Sequence, residues 1–439
     1  MNRAILVNKE NKIKENYFKY LELVTTTNER KEQIQIEKET YKSYLELKEY
    51  LEKQNIKIDI DKAFTNTQIE SSDYNTALAI NLIIDESNYD ILSKNIAQFG
   101  FILRYPKNKE NITGYPYNPT HIRYVGKIIS KIIYENNWTL EEYLKEFSGV
   151  IIINKEKDMT SFDVVNEISH LFGIKKVGHT GTLDPLAEGV LIVCIGKATK
   201  IVELLTAEDK EYIAGVKLGI KTDSYDITGN VLATKEVKNI NNIEKVINSF
   251  KNTYLQEVPI YSAVKVDGKK LYEYARKNKE VELPKKEVTI KEIELLSLKD
   301  NTFEIKTLVS KGTYIRSLIN DIGNELNTYA TMTSLTRTKQ GSITIHEAYK
   351  ISDIKDNNFR IYKIEETLSY PKIKVDENLE FKISNGVKLD NTFDIKDKVI
   401  FVNKEDKLLG IYEKEGNKLK VWKNFWWLSN LSVTLTKYS

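Results

Sequence analysis

Two short runs of uninterrupted apolar residues stand out in the middle of the chain, at residues 150–153 and 190–195. Runs of this length without a polar face are typical of strands buried on both sides of a sheet. Between them, Thr160 and Ser161 precede apolar residues at helical spacing, which predicts a capped helix. Further on, apolar residues alternate as in a half-buried strand: Tyr212, Ala214, Val216 and Leu218. This mixed order of strands and helices predicts an α+β fold.

The same patterns divide the chain into three parts. Residues 40–54, 90–99 and 140–147 read as helices of a separate N-terminal unit, with a strand at 56–60. Short apolar runs between polar turns predict a β-rich unit at the C-terminal end. We therefore expect three domains: 1–147, 148–349 and 350–439. Their first junction has no spacer rich in proline, glycine or serine, so we expect the first two domains to touch.

Composition narrows the class of protein. The 439 residues are 41% hydrophobic and carry a net charge of only +3, so any contact with nucleic acid must come from a local basic face. The single cysteine, Cys194, lies in an apolar run and excludes both a disulfide framework and a cysteine zinc site. No apolar run approaches membrane-spanning length, and the N-terminus becomes charged early. We expect a cytoplasmic protein.

A polar loop at residues 178–189 contains the candidate chemistry. Three glycines and Pro185 surround one carboxylate, Asp184, directly before the run 190–195. Glycine and proline at these positions favour a loop of fixed shape, which would hold Asp184 at the edge of a rigid core. On loop composition alone, an ordinary Asp-Pro turn is an equally good interpretation.

Several segments in order resemble the TruB family, the tRNA pseudouridine-55 synthases. The loop segment GHTGTLDPLAEGVL (178–191) is similar to the active-site motif of that family. The flanking matches are GVIIINKEKDMTSFDVV (149–165), KEYIAGVKLGIKTDSYDITG (210–229), VPIYSAVKVDGKKLYEYAR (258–276), KGTYIRSLINDIG (311–323) and LTRTKQG (335–341). Six motifs in one register are far more specific than any single one.

The resemblance implies a reaction that needs neither metal nor cofactor. Uridine becomes pseudouridine when the N-glycosidic bond breaks and the same base is rejoined through carbon, without net redox change. Asp184 is then the nucleophile, attacking either the sugar or the base ring. Arg316 is implied to pair with Asp184, and Tyr212 to stack on the target base and help move a proton. The implied partner is the T-arm of tRNA, bound by a monomer.

Three further residues are implied to contact RNA. His179 would enter the space that a flipped-out uridine leaves in the T-loop, and Tyr261 and Lys265 would touch the RNA. Three of the residues with an implied role also have an ordinary structural interpretation. Tyr212 would be an inward-facing strand aromatic, His179 a hydrogen-bonded loop histidine, and Arg316 a solvent-facing arginine. Other positions in the matched motifs are interpreted as scaffold or RNA contact: Lys155, Asp223, Asp226, Tyr272 and Arg337.

The N-terminal part resembles VanY-type D-alanyl-D-alanine carboxypeptidases without their metal site. The similar segments are LVNKENKIKENY (6–17), FGFILRYPKNKENITGYPYNPTHIRYVG (99–126) and WTLEEYL (138–144). Where that family has zinc-binding histidine and aspartate, this chain has Tyr74 and Asn81, and Asn118 stands in place of the general base. His121 alone remains, whereas a catalytic zinc needs about three protein ligands. We expect no peptidase activity and no metal.

The remaining alternatives concern the terminal units. The N-terminal unit is either a surface for RNA or a partner, a folding or solubility appendage, or a fusion without function. NGVKL and LLGIYEKEGNKLKV resemble the PUA-like domain found behind TruB catalytic domains, and residues 425–428 form either its core or an RNA-stacking patch. The alternative function from another class is a tRNA-binding or tRNA-folding protein without turnover.

Overall fold

The computed structural model describes residues 3–8, 10–13, 17, 21–64, 72–237, 240, 242–277 and 279–425. They form an N-terminal unit, a central unit and a C-terminal unit, each with its own sheet. Helices and strands are mixed throughout the first two, which confirms the predicted α+β class.

The N-terminal unit has a four-stranded antiparallel sheet in the order β3-β4-β6-β5 and a separate hairpin, β1-β2. Its elements are β1 (Leu23–Thr27), β2 (Gln33–Glu37), α1 (Lys38–Glu52), β3 (Asp59–Lys62), β4 (Ala79–Ile83), α2 (Tyr89–Asn95), β5 (Phe101–Tyr105), α3 (Glu110–Thr113), β6 (Asn118–Tyr124), α4 (Lys127–Glu135) and α5 (Leu140–Glu146), with 3-10 turns at Asp73–Thr76, Glu86–Asn88 and Ile96–Phe99. The strand predicted at 56–60 begins only at Asp59. Its partner β4 ends at Ile83, opposite Asp59, so the preceding residues have no strand to pair with.

The central unit is built on a nine-stranded sheet with the main order β13-β16-β17-β10-β18-β9-β7. Its elements are β7 (Gly149–Lys155), α6 (Ser161–Phe172), β8 (Val177–His179), β9 (Glu188–Ile195), α7 (Val202–Ala207), β10 (Lys210–Leu218), β11 (Ile220–Thr222), β12 (Val231–Thr234), α8 (Ile243–Ser249), β13 (Thr253–Glu257), β14 (Lys265–Val266), β15 (Lys269–Lys270), α9 (Leu271–Ala275), β16 (Lys285–Lys299), β17 (Thr302–Val309), α10 (Ile315–Glu325), β18 (Ala330–Gln340), β19 (Ile343–Thr344) and α11 (Ile351–Lys355), with 3-10 turns at Gly196–Ile201 and Ile345–Glu347. Neighbouring strands are antiparallel except β18 and β9.

The C-terminal unit is a five-stranded sheet in the order β20-β22-β23-β24-β21. Its elements are a 3-10 turn (Ile364–Glu366), β20 (Lys372–Lys374), α12 (Glu377–Ser384), β21 (Leu389–Asp390), β22 (Lys398–Val402), β23 (Leu408–Glu415) and β24 (Lys418–Asn424). Of the predicted aromatic patch at 425–428, Phe425 is buried, and residues 426–428 lie outside the described residues.

Strands β7 and β9 are buried on both faces, as their unbroken apolar runs predict. Ile151, Ile153, Leu191, Val193 and Ile195 face a core shared with α6, α10 and the N-terminal helices α4 and α5. The alternate residues Val150, Ile152, Val190, Ile192 and Cys194 face a second core with β22 and β23. Burial raises the pKa of the Cys194 thiol to about 12, which fits the predicted apolar role.

The junction at residue 147 is a packed interface. Phe147 stacks on Phe172 with ring centroids 5.6 Å apart, and Tyr143 donates a hydrogen bond to the Phe172 carbonyl at 2.7 Å. Phe359, from the chain that follows α11, closes this aromatic stack edge-on at 5.8 Å from Phe172. Gly196 has φ +62°, and a Cβ there would lie 2.3 Å from the Phe147 carbonyl oxygen. The predicted contact between the first two units is therefore close and specific.

Replacing Phe147 by alanine should loosen both units at once. A buried Phe→Ala change costs about 3–5 kcal/mol in stability, and here the cavity would open between α5 and α6. Hydrogen-deuterium exchange read by mass spectrometry should show faster exchange in both helices. Tyr134→Ala is the control, because Tyr134 is 53% exposed on α4. Faster exchange confined to α5 would contradict a shared core.

Candidate active site

The loop between β8 and β9 is fixed from below by the connection between β7 and α6. The Leu183 N–H donates to Ser161 Oγ at 2.9 Å, and the Asp158 N–H donates to the Pro185 carbonyl at 2.8 Å. Lys155 Nζ, fully buried, donates to the Met159 carbonyl at 2.6 Å. These bonds on both sides of Asp184 give the loop the fixed shape that its glycines and proline predict.

Strand β18 holds the front of the same loop. Gln340 Nε2 donates to Thr180 Oγ1 at 2.7 Å, and Arg337 Nη2 donates to the Gly181 carbonyl at 3.1 Å. Gly189, at φ +100°, lies so close to the Arg337 backbone that a Cβ would approach its carbonyl oxygen to 2.3 Å. Glycine is therefore required where β9 meets β18.

Asp184 and Arg316 form an ion pair, with Arg316 Nε 2.9 Å from Asp184 Oδ2. Arg316 starts helix α10, and two backbone carbonyls fix its guanidinium: Ser224 at 3.1 Å and Tyr261 at 3.0 Å. Its side chain is 6% exposed, whereas that of Asp184 is 37% exposed. The Arg316 side chain is thus held in one position by the surrounding backbone, whereas the Asp184 carboxylate remains accessible to solvent.

The environment of Asp184 makes its carboxylate less stable than in water. Burial raises the pKa of Asp184, Arg316 opposes this shift, and Asp226 adds to it. Asp226 lies on the far side of the arginine, with its Oδ2 3.8 Å from Arg316 Nη1. A carboxylate that is charged but weakly solvated is suited to nucleophilic attack.

A cavity of about 320 Å³ opens above this pair. Its wall includes Asp184, Arg316, Tyr212 and Tyr261, together with the basic residues Lys210, Lys286, Lys311 and Arg337. Tyr212 lies on β10 and is 7% exposed. The structure therefore brings all three predicted catalytic residues to one concave site lined by positive charge.

Of the three residues predicted to contact RNA, one lines the cavity and two do not. Tyr261 lines the cavity, but His179 and Lys265 are not among its lining residues. His179 lies on β8, half-buried, and its Nδ1 accepts a hydrogen bond from the Gly181 N–H at 3.3 Å. Burial and nearby Arg337 lower its pKa, so the imidazole tends to be neutral. Lys265 is exposed on the hairpin β14-β15.

Sequence comparison identifies the family. A model of the TruB family pseudouridylate synthases matches residues 169–315. The tRNA pseudouridine synthase B of Fusobacterium nucleatum is 45% identical over 280 residues, which are 62% of this chain and 97% of the relative. The corresponding protein of Clostridium tetani is 44% identical over 289 residues, covering 98% of its length. The chain belongs to the TruB family. It is a pseudouridine synthase.

Solved structures share the fold of this TruB-family enzyme. An H/ACA ribonucleoprotein bound to a substrate RNA containing 2′-deoxyuridine matches with a TM-score of 0.50 and 23% identity, over 66% of this chain and 88% of the other. The N-terminal unit is also recognised: a D-alanyl-D-alanine carboxypeptidase family model matches residues 68–127. The resemblances to the TruB family and to the VanY-type carboxypeptidases are therefore confirmed.

The replaced metal-site positions do come together in the N-terminal unit. The Tyr74 ring lies 4.6 Å from the His121 ring, and Thr120 Oγ1 links the other two replaced positions, at 3.0 Å from both Asn81 Oδ1 and Asn118 Oδ1. His121 Nε2 lies 3.3 Å from Asp73 Oδ2, and Arg123 also contacts this carboxylate. Within the part of the chain that the structure describes, no group of three or more histidine, cysteine, aspartate or glutamate side chains is arranged to hold a metal.

Asp73 and its arginines form a buried ion cluster that the sequence did not reveal. Burial raises the pKa of Asp73, but Arg123, His121 and Arg104 outweigh it and hold the pKa well below its usual range. Arg104 in turn binds Glu141 of α5 at 2.7 Å. The cluster thus ties the strands β5 and β6 to the helix at the unit junction.

Lys210 is a cavity residue that sequence reasoning missed. Its Nζ donates to the Thr206 carbonyl at 2.9 Å and the Glu208 carbonyl at 2.6 Å, and burial with Arg337 nearby lowers its pKa to about 8. One signal was available: Lys210 is two residues before Tyr212, and alternate residues of a strand share a face.

No helix among the described residues has the length and apolar composition of a membrane span.

The pH dependence of pseudouridine formation should show the state of Asp184. If Asp184 is the nucleophile, it must be ionised; because its pKa is raised, activity should then fall on the acid side at a higher pH than for an ordinary aspartate. Arg316→Gln removes the charge that opposes the shift and should move this acid limb further upward, besides lowering the maximum rate. Single-turnover rates between pH 5 and 8 provide the measurement.

Arg360→Gln is the matched control, since Arg360 is 57% exposed and pairs with Glu366 far from the cavity. It should leave the pH profile in place. An acid limb that does not move in Arg316→Gln would separate the observed titration from Asp184.

Proposed function

We propose that this enzyme converts the T-loop uridine of tRNA to pseudouridine, with Asp184 as the nucleophile. The observation that carries the proposal is the ion pair between accessible Asp184 and immobilised Arg316 inside the positively lined cavity. The names of the relatives, tRNA pseudouridine synthase B, support a tRNA substrate. The T-arm is what the motif resemblance to the pseudouridine-55 synthases implies. We place the reaction in the cytoplasm and assign it to the monomer.

The reaction needs a nucleophile, a proton acceptor and a closed site. Asp184 attacks either the sugar C1′ or the base ring, and the bond between C1′ and N1 breaks. The uracil then rotates, and a bond forms between C1′ and C5. If Asp184 attacked C1′, its bond to C1′ breaks as the new bond forms; if it attacked the base ring, its bond to the ring breaks as C5 loses its proton. In both routes C5 loses a proton and N1 takes one up. No electrons are gained or lost overall, so the balance requires no redox partner. The site must exclude water while the base is detached.

Each neighbouring residue has a role in this sequence of steps. Arg316 keeps the carboxylate oriented and charged while RNA covers the cavity, because an ion pair is strengthened when water is excluded. Tyr212 stacks on the target base and assists removal of the C5 proton. His179, at the outer edge of the loop, fills the space left by the flipped uridine. Tyr261 at the cavity wall and Lys265 on the exposed hairpin contact the RNA.

We also propose that the N-terminal unit has no peptidase activity. Tyr74 and Asn118 occupy the positions of a zinc ligand and of the general base in the related peptidases, and neither side chain performs that chemistry. His121 packs between the Tyr74 and Tyr105 rings, at 4.6 and 4.8 Å, and faces the buried Asp73. These neighbours fill the coordination space around the one remaining histidine.

Replacing Asp184 by asparagine should stop turnover without preventing RNA binding. The amide has the same shape but cannot act as a nucleophile, so the single-turnover rate should fall by at least about 10³-fold. Pseudouridine is detected by mass spectrometry of an unmodified tRNA transcript, and a transcript with cytidine at the T-loop position tests the site. Asp356→Asn, an exposed change after α11, is the control.

The competing function, a tRNA-binding or tRNA-folding protein without turnover, predicts a different result. The wild-type protein would bind the transcript tightly and form no pseudouridine, and Asp184→Asn would behave like the wild type. Retention of Asp184, Tyr212 and Arg316 in one cavity favours turnover, because binding alone does not require a nucleophile.

The N-terminal unit can be tested by metal analysis of the full chain. Elemental analysis after purification with added Zn²⁺ should find well below one zinc per chain, and a D-alanyl-D-alanine-terminated peptide should remain intact. A Tyr74→His/Asn81→Asp/Asn118→Glu variant is the comparison, since it restores the ligand types and the general base at these positions. Stoichiometric zinc in the wild type would refute the proposal.

A further inference from the structure

Four lysines from three separate segments meet beside the catalytic loop. Lys176 directly precedes β8, Lys197 and Lys200 lie on the 3-10 turn Gly196–Ile201, and Lys423 lies on β24 of the C-terminal unit. The backbone joins them: the Gly196 N–H donates to the Lys176 carbonyl at 2.8 Å, and Lys200 Nζ donates to the Asn424 carbonyl. We call these four residues the lysine cluster.

Among the described residues, the four lysines of the lysine cluster outnumber the carboxylates that form ion pairs with them. Burial and the charges of Lys176, Lys197 and Lys423 all lower the pKa of Lys200. In the described part of the chain, the carboxylate ion-paired with the cluster is Glu146, at 2.5 Å from Lys197 Nζ. Like charges gathered at a surface are unfavourable unless an anion joins them, so the arrangement points to an external anion.

The place of the cluster indicates which anion. Strand β8 begins directly after Lys176, and the chain continues from its last residue, His179, into the loop that contains Asp184. At the other end, Lys423 Nζ lies 4.3 Å from the Trp422 ring centroid, so an aromatic surface adjoins the charges. Lysines combined with an aromatic ring are suited to nucleic-acid backbones, on which phosphates recur at short intervals.

We propose that Lys176, Lys200 and Lys423 bind backbone phosphates of the RNA substrate, and that Glu146 of the N-terminal unit weakens this binding by neutralising Lys197. Glu146 is the last residue of α5, held in place by the packed junction at Phe147. The N-terminal unit thereby adjusts RNA affinity through one carboxylate. This inference rests on the proposed tRNA substrate and adds a role for the unit that carries no other activity.

The salt dependence of tRNA binding tests the proposal. Affinity of the full chain for an unmodified tRNA transcript is measured by fluorescence anisotropy between 50 and 200 mM KCl. Each phosphate contact contributes about 0.7–0.9 to the slope of log affinity against log salt. Lys176→Gln/Lys423→Gln should therefore reduce the slope by about 1.4–1.8, whereas Lys176→Arg/Lys423→Arg should keep it. Lys94→Gln/Lys131→Gln, with the same charge change on exposed N-terminal positions, is the control.

Glu146 is tested in the opposite direction. Glu146→Gln frees Lys197 and should tighten binding and steepen the slope by about 0.7–0.9, and Glu146→Gln/Lys197→Gln should return it to the wild-type value. Glu135→Gln, an exposed charge change on α4, is the control. Thermal unfolding of each variant shows whether the fold is intact.

The outcomes separate the two levels of the proposal. Lysine variants that match their control, or Glu146→Gln that matches Glu135→Gln, would overturn the inference while wild-type activity on tRNA stands. A wild-type protein that neither binds nor modifies the tRNA transcript would overturn the proposed function itself, and the inference with it.

Discussion

Burial of β7 and β9 on both faces is the constraint on which the rest of this molecule depends. A strand with apolar side chains on alternate faces must be covered twice, and here one cover is the helical layer of α6 and α10, while the other is the C-terminal sheet. The loop with Asp184 enters β9 directly. Because that strand cannot shift without exposing two cores, the position of Asp184 is determined by one of the most buried parts of the chain.

The accessible end of the ion pair at the active site follows from this arrangement. Asp184 projects from a loop fixed by β7, α6 and β18, and Arg316 projects from the first turn of α10, which packs on the same sheet. Neither residue needs to be ordered by substrate. Preorganised charges of this kind act with little reorganisation energy at the moment of reaction, which is the advantage that the proposed mechanism would take from this ion pair.

The parts that sequence predicts well are those determined locally. The apolar run at 190–195 encodes a strand buried on both faces, and Thr160 caps α6 with Asp163 in a reciprocal hydrogen-bonded box, as its position before the apolar spacing indicates. The order of six motifs placed Asp184, Tyr212 and Arg316 in one site. Contacts between distant segments were not predictable, because no local pattern encodes them. The pairing of Lys197 with Glu146 is one example, and the cluster around Asp73 is another.

The aromatic stack at the unit junction has a consequence for the history of this chain. The stack joins Tyr143 and Phe147 at the end of α5, Phe172 at the end of α6 and Phe359 after α11. Gly196 has no side chain at the point where the Phe147 carbonyl lies. Deletion of the N-terminal unit would expose the Phe172 ring to solvent and would leave empty the space beside Gly196 that the Phe147 carbonyl occupies. A chain that loses the N-terminal unit therefore needs compensating substitutions on the surface that this unit covers, whereas substitutions at Tyr74 or Asn81 leave the aromatic core at the junction unchanged.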